Sequence, residues 1–98
     1  MAKPAAEVAP DVYKVVFENE SLRLLEVLMA PGAISELHSH PNYLVYALSD
    51  GKIRLADASG EGGEVEISQG DTMWREAEEH SAANIGSAEM RALFIELK

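Results

Sequence analysis

The chain has 98 residues, 47% hydrophobic and 26% charged, with 17 acidic against eight basic side chains, a formal net charge of −9 and no cysteine. That length allows one domain with one core, and the missing cysteines exclude disulfides, thiolate metal sites and a thiol nucleophile. The bases Lys3, Lys14, Arg23, Lys52, Arg54, Arg75, Arg91 and Lys98 are dispersed, whereas a phosphate backbone or an anionic bilayer demands clustered positive charge, so neither nucleic acid nor membrane is expected as a partner.

Residues 1–11, opening MAKPAAEVAP, are rich in Ala and Pro and carry no periodicity. They read as a flexible N-terminal arm ahead of a single domain over 12–98. The start has no apolar segment behind a basic end and so does not read as a secretory leader. No run approaches the roughly 20 apolar residues that span a bilayer. The expected location is the cytoplasm.

From Val12 the signals are for strands. VYKVVF (12–17) is β-branched and aromatic, ENES (18–21) is a turn, and LRLLEVLMA (22–30) is an apolar run stopped by Pro31-Gly32. YLVYALS (43–49) and KIRLADA (52–58) flank Asp50-Gly51, a hairpin signal. SGEGG (59–63) is a second turn, EVEIS (64–68) alternates, Gly70-Asp71 turns the chain into TMWR (72–75), and MRALFIEL (90–97) closes it. Residues 22–30 and 88–97 contain good helix formers, but turns recur too often for βαβ units. An antiparallel sandwich or barrel fits that spacing.

The only three histidines are His38, His40 and His80. Side chains two apart on a strand share a face, which sets His38 and His40 about 7 Å apart at Cα. His80 lies beyond a hairpin and a turn, at a separation that a sheet folded back on itself can return to the same cavity. Three neutral imidazoles suit one divalent ion, with Fe, Ni or Zn ahead of Mn or Cu. Only three protein ligands would leave positions open for water or substrate, as in catalytic rather than structural sites. Small carboxylates, thiols or dicarbonyls could chelate there.

Other residues are candidates around that centre. Glu36 has the parity of His38 and His40, and Glu78 that of His80, so each is an additional ligand or a rim carboxylate. Tyr43, Leu44, Tyr46, Met73, Trp74 and Asn84 are candidates for the pocket. Arg75 follows Trp74 directly and must face the other way; it is read as a surface ion pair with Glu76, Glu78 and Glu79. No hydrolytic triad, phosphate loop or dinucleotide fingerprint is present.

The stretch Gly32-AISEL-His38-Ser39-His40, continued to Gly51, resembles the first motif of the cupin family, G-x5-H-x-H-x3-E-x6-G. Gly70-Asp71 through His80-SAA-Asn84 resembles the second motif, which carries the third histidine and an Asn that is structural in that family. Two departures stand out. Leu44 replaces the usual Glu ligand, and the segment before His80 lacks the motif's Pro and Gly. DVYKVVFENE, HSHPNYLVYALSDGK and WREAEEHSAANIG are similar to a subgroup of small single-domain cupins linked with β-alanine degradation. The resemblance implies an all-β fold, a single cupin-type antiparallel β-barrel or jelly roll (double-stranded β-helix). It also implies a metal-binding protein that acts on, or binds, a small polar metabolite. The bare three-His set is similar to that of thiol dioxygenases, which suggests dioxygenase-like or Lewis-acid chemistry. A non-catalytic binding or sensing module, or a metal-free barrel with relic histidines, stays open beside it. A homodimer is expected, because a sheet this small has edges to hide.

Overall fold

A computed structural model describes residues 2–98; Met1, the first residue of the expected arm, lies outside them. A single helical turn, α1 (Ala5–Val8), precedes nine strands. These are β1 (Tyr13–Glu18), β2 (Leu22–Met29), β3 (Ile34–His40), β4 (Tyr43–Ala47), β5 (Gly51–Ala56), β6 (Gly62–Ile67), β7 (Thr72–Arg75), β8 (Glu78–Asn84) and β9 (Met90–Leu97). They form two antiparallel sheets, ordered β1-β2-β9-β4-β7 and β3-β8-β5-β6. This is the antiparallel two-layer arrangement that the turn spacing implies, and the all-β jelly roll that the resemblance implies. No described helix is long and apolar enough to cross a membrane.

Alternation decides what each strand buries. On β4, Tyr43, Val45 and Ala47 point inward while Leu44 and Tyr46 are exposed. On β2, Leu25, Val27 and Met29 are buried, and on β9 the inward set is Met90, Ala92, Phe94 and Glu96. The inner faces of the two sheets enclose the core, as in any two-layer β-sandwich. The helix formers in 22–30 and 90–97 are overridden because β2 and β9 pair with each other over eight residues. Each thereby buries a period-2 face.

The expected loose arm is instead docked. Ala5 and Ala9 belong to the core. The Ser39 N–H donates to the Lys3 carbonyl at 2.8 Å, and Pro4 forms a parallel bridge with Ser39. Since β3 is an edge of its sheet, it offers unpaired backbone groups that this segment covers. Such long-range pairing leaves no mark in local composition.

SGEGG, read as a turn, gives up Gly62 and Gly63 to β6. Gly62 sits opposite Ala56, and a Cβ there would lie 1.8 Å from the Leu55 carbonyl oxygen. A Cβ on Gly63 would meet nothing within 4 Å. Gly62→Ala must therefore push the β5–β6 hairpin apart and is expected to cost about 1–3 kcal/mol, while Gly63→Ala should be nearly neutral. Urea denaturation of the two variants checks this; equal midpoints would refute the reading of the hairpin.

Candidate metal centre

His38 and His40 stand on β3 and His80 on the neighbouring β8, where His38 and His80 are direct cross-strand partners. All three are buried, at 0%, 3% and 5% exposure. Their ring centroids are 4.7–5.1 Å apart. One nitrogen from each lies within 4.8 Å of the others, close enough for small ring rotations to bring all three onto one ion at about 2.1 Å.

The hydrogen bonds of the rings assign which nitrogens are free. His38 Nδ1 donates to the Glu36 carbonyl at 2.7 Å, leaving Nε2 as the lone-pair atom. His40 Nδ1 donates to Glu96 Oε2 at 2.6 Å, and its Nε2 is buried without a partner. His80 Nδ1 lies 3.2 Å from Glu78 Oε1 but outside hydrogen-bonding geometry, and it too is unpartnered. Buried polar atoms without partners are rare because each costs about 1–3 kcal/mol. Two such nitrogens beside a third imidazole fit the donor set of a cation site.

Burial also sets the charge state. It depresses the basicity of His38, and it pushes His80 down to about 4 against the opposing pull of Glu78. At neutral pH these rings present lone pairs, the form that ligates. Burial likewise raises Tyr13 to about 12. The Tyr13 hydroxyl sits 3.3 Å from His38 Nε2 and 3.1 Å from Ser35 Oγ. With His38 Nδ1 protonated, the Tyr13 O–H donates to Nε2 and accepts from Ser35.

Tyr13 and Glu96 are absent from the sequence-derived candidates. Glu96 is only 4% exposed. The sole hint is an acid at an inward position of the apolar run 90–97, in phase with Met90, Ala92 and Phe94. Tyr13 gives no hint, because its partners are 22 and 25 residues away.

Several expected pocket residues face elsewhere. Glu36 is exposed because β3 carries a bulge. The register shifts between Ser35 and His38, so Ser35 points inward and the parity argument fails. Glu78 does lie on the cavity side. Both its oxygens are held by the Arg75 guanidinium (Nη2 to Oε1, 2.8 Å; Nε to Oε2), and Tyr43 Oη donates to Oε2 at 2.7 Å. Burial would raise its pKa, but these bonds outweigh it and bring the carboxyl down to about 2. It is a locked rim carboxylate. Leu44, Tyr46 and Trp74 lie on the outer face of the five-stranded sheet, with Trp74 49% exposed. Met73 and Arg75 take the inward positions of β7, opposite Val45 and Tyr43. Met73 and Trp74 are adjacent in the strand and could not both line the cavity. Asn84 is buried as structure. Its Nδ2 donates to the Met29 and Ala88 carbonyls and its Oδ1 accepts from Gly86, pinning the 85–89 turn to β2.

A cavity of about 60 Å³ is lined by His80, Tyr13, Tyr43, Met73, Arg75, Phe94 and aliphatic side chains. Outside it runs a groove of about 240 Å³ with an acidic rim that includes Asp57, Glu61, Glu64 and Glu79. Arg75 and His80 border both spaces.

The cupin domain family matches residues 25–96, and the chain belongs to that family. Among solved structures it is similar to a cupin domain from Bordetella pertussis Tohama I, with 26% identity, TM-score 0.80, and coverage of 100% of this chain and 98% of that one. A double-stranded β-helix protein from Klebsiella pneumoniae shares 19% identity, TM-score 0.69, over 88% and 75% of the chains. A cupin superfamily protein from Desulfitobacterium hafniense shares 14%, TM-score 0.64, with the same coverages. The last two bear on the fold alone. A comparison with curated proteins finds no match. None of the three structures is described by an activity, so the likeness to a β-alanine-degradation subgroup gains no support from them.

Two outcomes follow from this geometry. Glu96→Gln keeps the shape but removes the charge that orients and polarises His40. It should weaken divalent-metal binding about 10- to 100-fold, read by competition with a chromophoric chelator; an unchanged affinity would mean Glu96 is only packing. In metal-free protein, the unfolded chain protonates its histidines below about pH 6.5, while folded His80 resists until about 4. The unfolded state then binds more protons. Stability should be flat above about pH 6.5 and fall as pH drops through that window. Denaturation midpoints that stay constant across it would contradict the buried neutral imidazoles.

Proposed function

We propose that this cupin is a mononuclear metal protein in which His38, His40 and His80 hold one divalent ion and a small polar metabolite binds at its open positions. The observation that carries the reading is the convergence of three buried imidazoles, with His40 and His80 each keeping a nitrogen unpartnered and His40 oriented by Glu96. When bound, such an ion supplies Lewis-acid polarisation, or dioxygen chemistry if it is iron.

The chain's own residues restrict the ligand. The inner cavity of about 60 Å³ admits only a few heavy atoms unless side chains move. Its walls, with Met73 and Phe94, exclude water and favour a compact apolar body. The Arg75–Glu78 pair is internally neutralised, so an entering anion meets no uncompensated positive charge. The acidic rim repels anions and concentrates cations, the ion itself included. Neutral or cationic metabolites with one chelating group, such as an aminothiol, suit this mouth better than di- or tricarboxylates.

A specific observation also favours a binding or sensing role. Around the cavity Tyr13 is raised to about 12 and Glu78 lowered to about 2, far from the neutral range that suits a general acid or base. Any catalysis therefore rests on the ion.

Untagged protein should retain close to one Fe, Ni or Zn per chain by elemental mass spectrometry, and His38→Ala or His80→Ala should lose it. No metal after reconstitution at alkaline pH, where imidazoles are neutral, would overturn the reading. Oxygen consumption by iron-loaded protein with small thiols would then separate a dioxygenase from a binding module.

A further inference from the structure

Ser35, Tyr13 and His38 form a hydrogen-bonded chain in which the protons can be counted. Tyr13 Oη stands 3.1 Å from Ser35 Oγ and 3.3 Å from His38 Nε2. Ser35 is 1% exposed and Tyr13 2%, so bulk water does not replace a lost partner. Ser35 Oγ makes no other hydrogen bond among the described residues. The two hydroxyl protons are both placed only in the order Ser35 to Tyr13 to His38. An ion held by His38 takes the Nε2 lone pair, and one proton then lacks an acceptor. Reversing the Tyr13–Ser35 bond merely transfers the deficit to Ser35. Buried donors without partners are rare, so a metal-loaded centre calls for a new acceptor beside Tyr13.

The position of the hydroxyl says where that acceptor lies. Two donor atoms each about 2.1 Å from one ion are about 3.0–3.4 Å apart at right-angled to tetrahedral geometry. A hydroxyl 3.3 Å from Nε2 therefore borders the ion's open positions. The other donors of the cavity wall are engaged. Tyr43 Oη and Arg75 Nε and Nη2 donate to Glu78, and Arg75 Nη1 is turned to the Met73 sulfur at 3.9 Å. Resting on the metal reading above, we propose that Tyr13 donates its O–H to the ligand atom that coordinates the ion, and so selects ligands whose coordinating atom is anionic: an alkoxide, enolate or thiolate. A neutral amine or imidazole gives its one lone pair to the ion and offers Tyr13 nothing, whereas an anionic oxygen or sulfur keeps lone pairs to accept with. Charge agrees. Three neutral imidazoles and the Glu96 carboxylate behind His40 leave a divalent ion one positive charge, which a single anionic atom offsets. Such a ligand crosses the acidic groove as a neutral alcohol, enol or thiol and releases its proton to solvent on coordination.

Co(II) titration followed by visible absorption, with azide and then imidazole as added ligands, tests this. Tyr13→Phe should bind Co(II) no more weakly than the native chain, because no O–H competes for the His38 lone pair. It should bind azide about 10- to 100-fold more weakly, with imidazole binding and far-UV circular dichroism unchanged. Ser35→Ala, which leaves the Tyr13 O–H in place, should lose only about two- to fivefold in azide affinity. Co(II) binding with equal azide affinity in native and Tyr13→Phe protein would overturn the proposal alone. So would an intense Cu(II) charge-transfer band that vanishes in Tyr13→Phe, which would make the phenol oxygen a ligand. A native chain that binds no Co(II) would overturn the metal reading itself, and the proposal with it.

Discussion

The centre depends on one hydrogen bond that crosses the sandwich, from His40 on β3 to Glu96 on β9. A carboxylate this deeply buried is costly. Ionic desolvation amounts to several kcal/mol after relaxation, and a single imidazole N–H offsets only part of it. Yet the sequence places Glu96 at an inward position otherwise suited to Leu or Val. The arrangement makes sense if the imidazole passes the interaction on. With Nδ1–H fixed on the carboxylate, Nε2 keeps its lone pair and is buried without a partner, and a cation there would balance the buried carboxylate. Glu96 thus orients His40 from the opposite sheet and does for it what the Glu36 carbonyl does for His38 from within its own strand. His80 has no equivalent support; Glu78 stands at 3.2 Å but is committed to Arg75 and Tyr43.

What the sequence reveals and what it hides divide along one line. Features set by local alternation are legible. The strands over 22–30, 43–49 and 90–97 follow from period-2 burial and turn residues, and His38 and His40 share a face because nothing interrupts the pleat between them. Features set by register are not. One extra residue in β3 sends Glu36 outward, although its parity with His38 is correct on paper. On β7 the alternation separates Trp74 from Arg75, but nothing local says which of them faces in; pairing with β4 decides it by placing Arg75 opposite Tyr43. A large aromatic is a natural guess for a pocket wall and a guanidinium for the surface, and here both are reversed. Arg75 can be inside because Glu78, three residues on, neutralises it there. The docked arm and the Tyr13–Ser35–His38 chain are longer-range still.

The same reversal shapes the electrostatics of the mouth. Tyr43 and the Nε and Nη2 groups of Arg75 are all engaged by Glu78, so this set stiffens the opening rather than presenting an uncompensated charge. The unpartnered ring nitrogens of the centre belong to His40 and His80. Selectivity then comes from size, from apolar walls and from the acidic approach, with the ion as the one strong attraction for a polar group. Such a division is economical for a domain of 98 residues, which cannot afford many buried charges beside a small core.

Strands β4 and β9 serve both faces of the molecule at once. Tyr43 and Glu96 point to the centre while Leu44 and Ile95, their immediate neighbours, point out. A backbone shift of either strand moves both sets together, since alternation allows no independent adjustment. A displacement of the outer row therefore reaches the Glu96 carboxylate and the Tyr43 hydroxyl through geometry alone, with no residue of the centre changed.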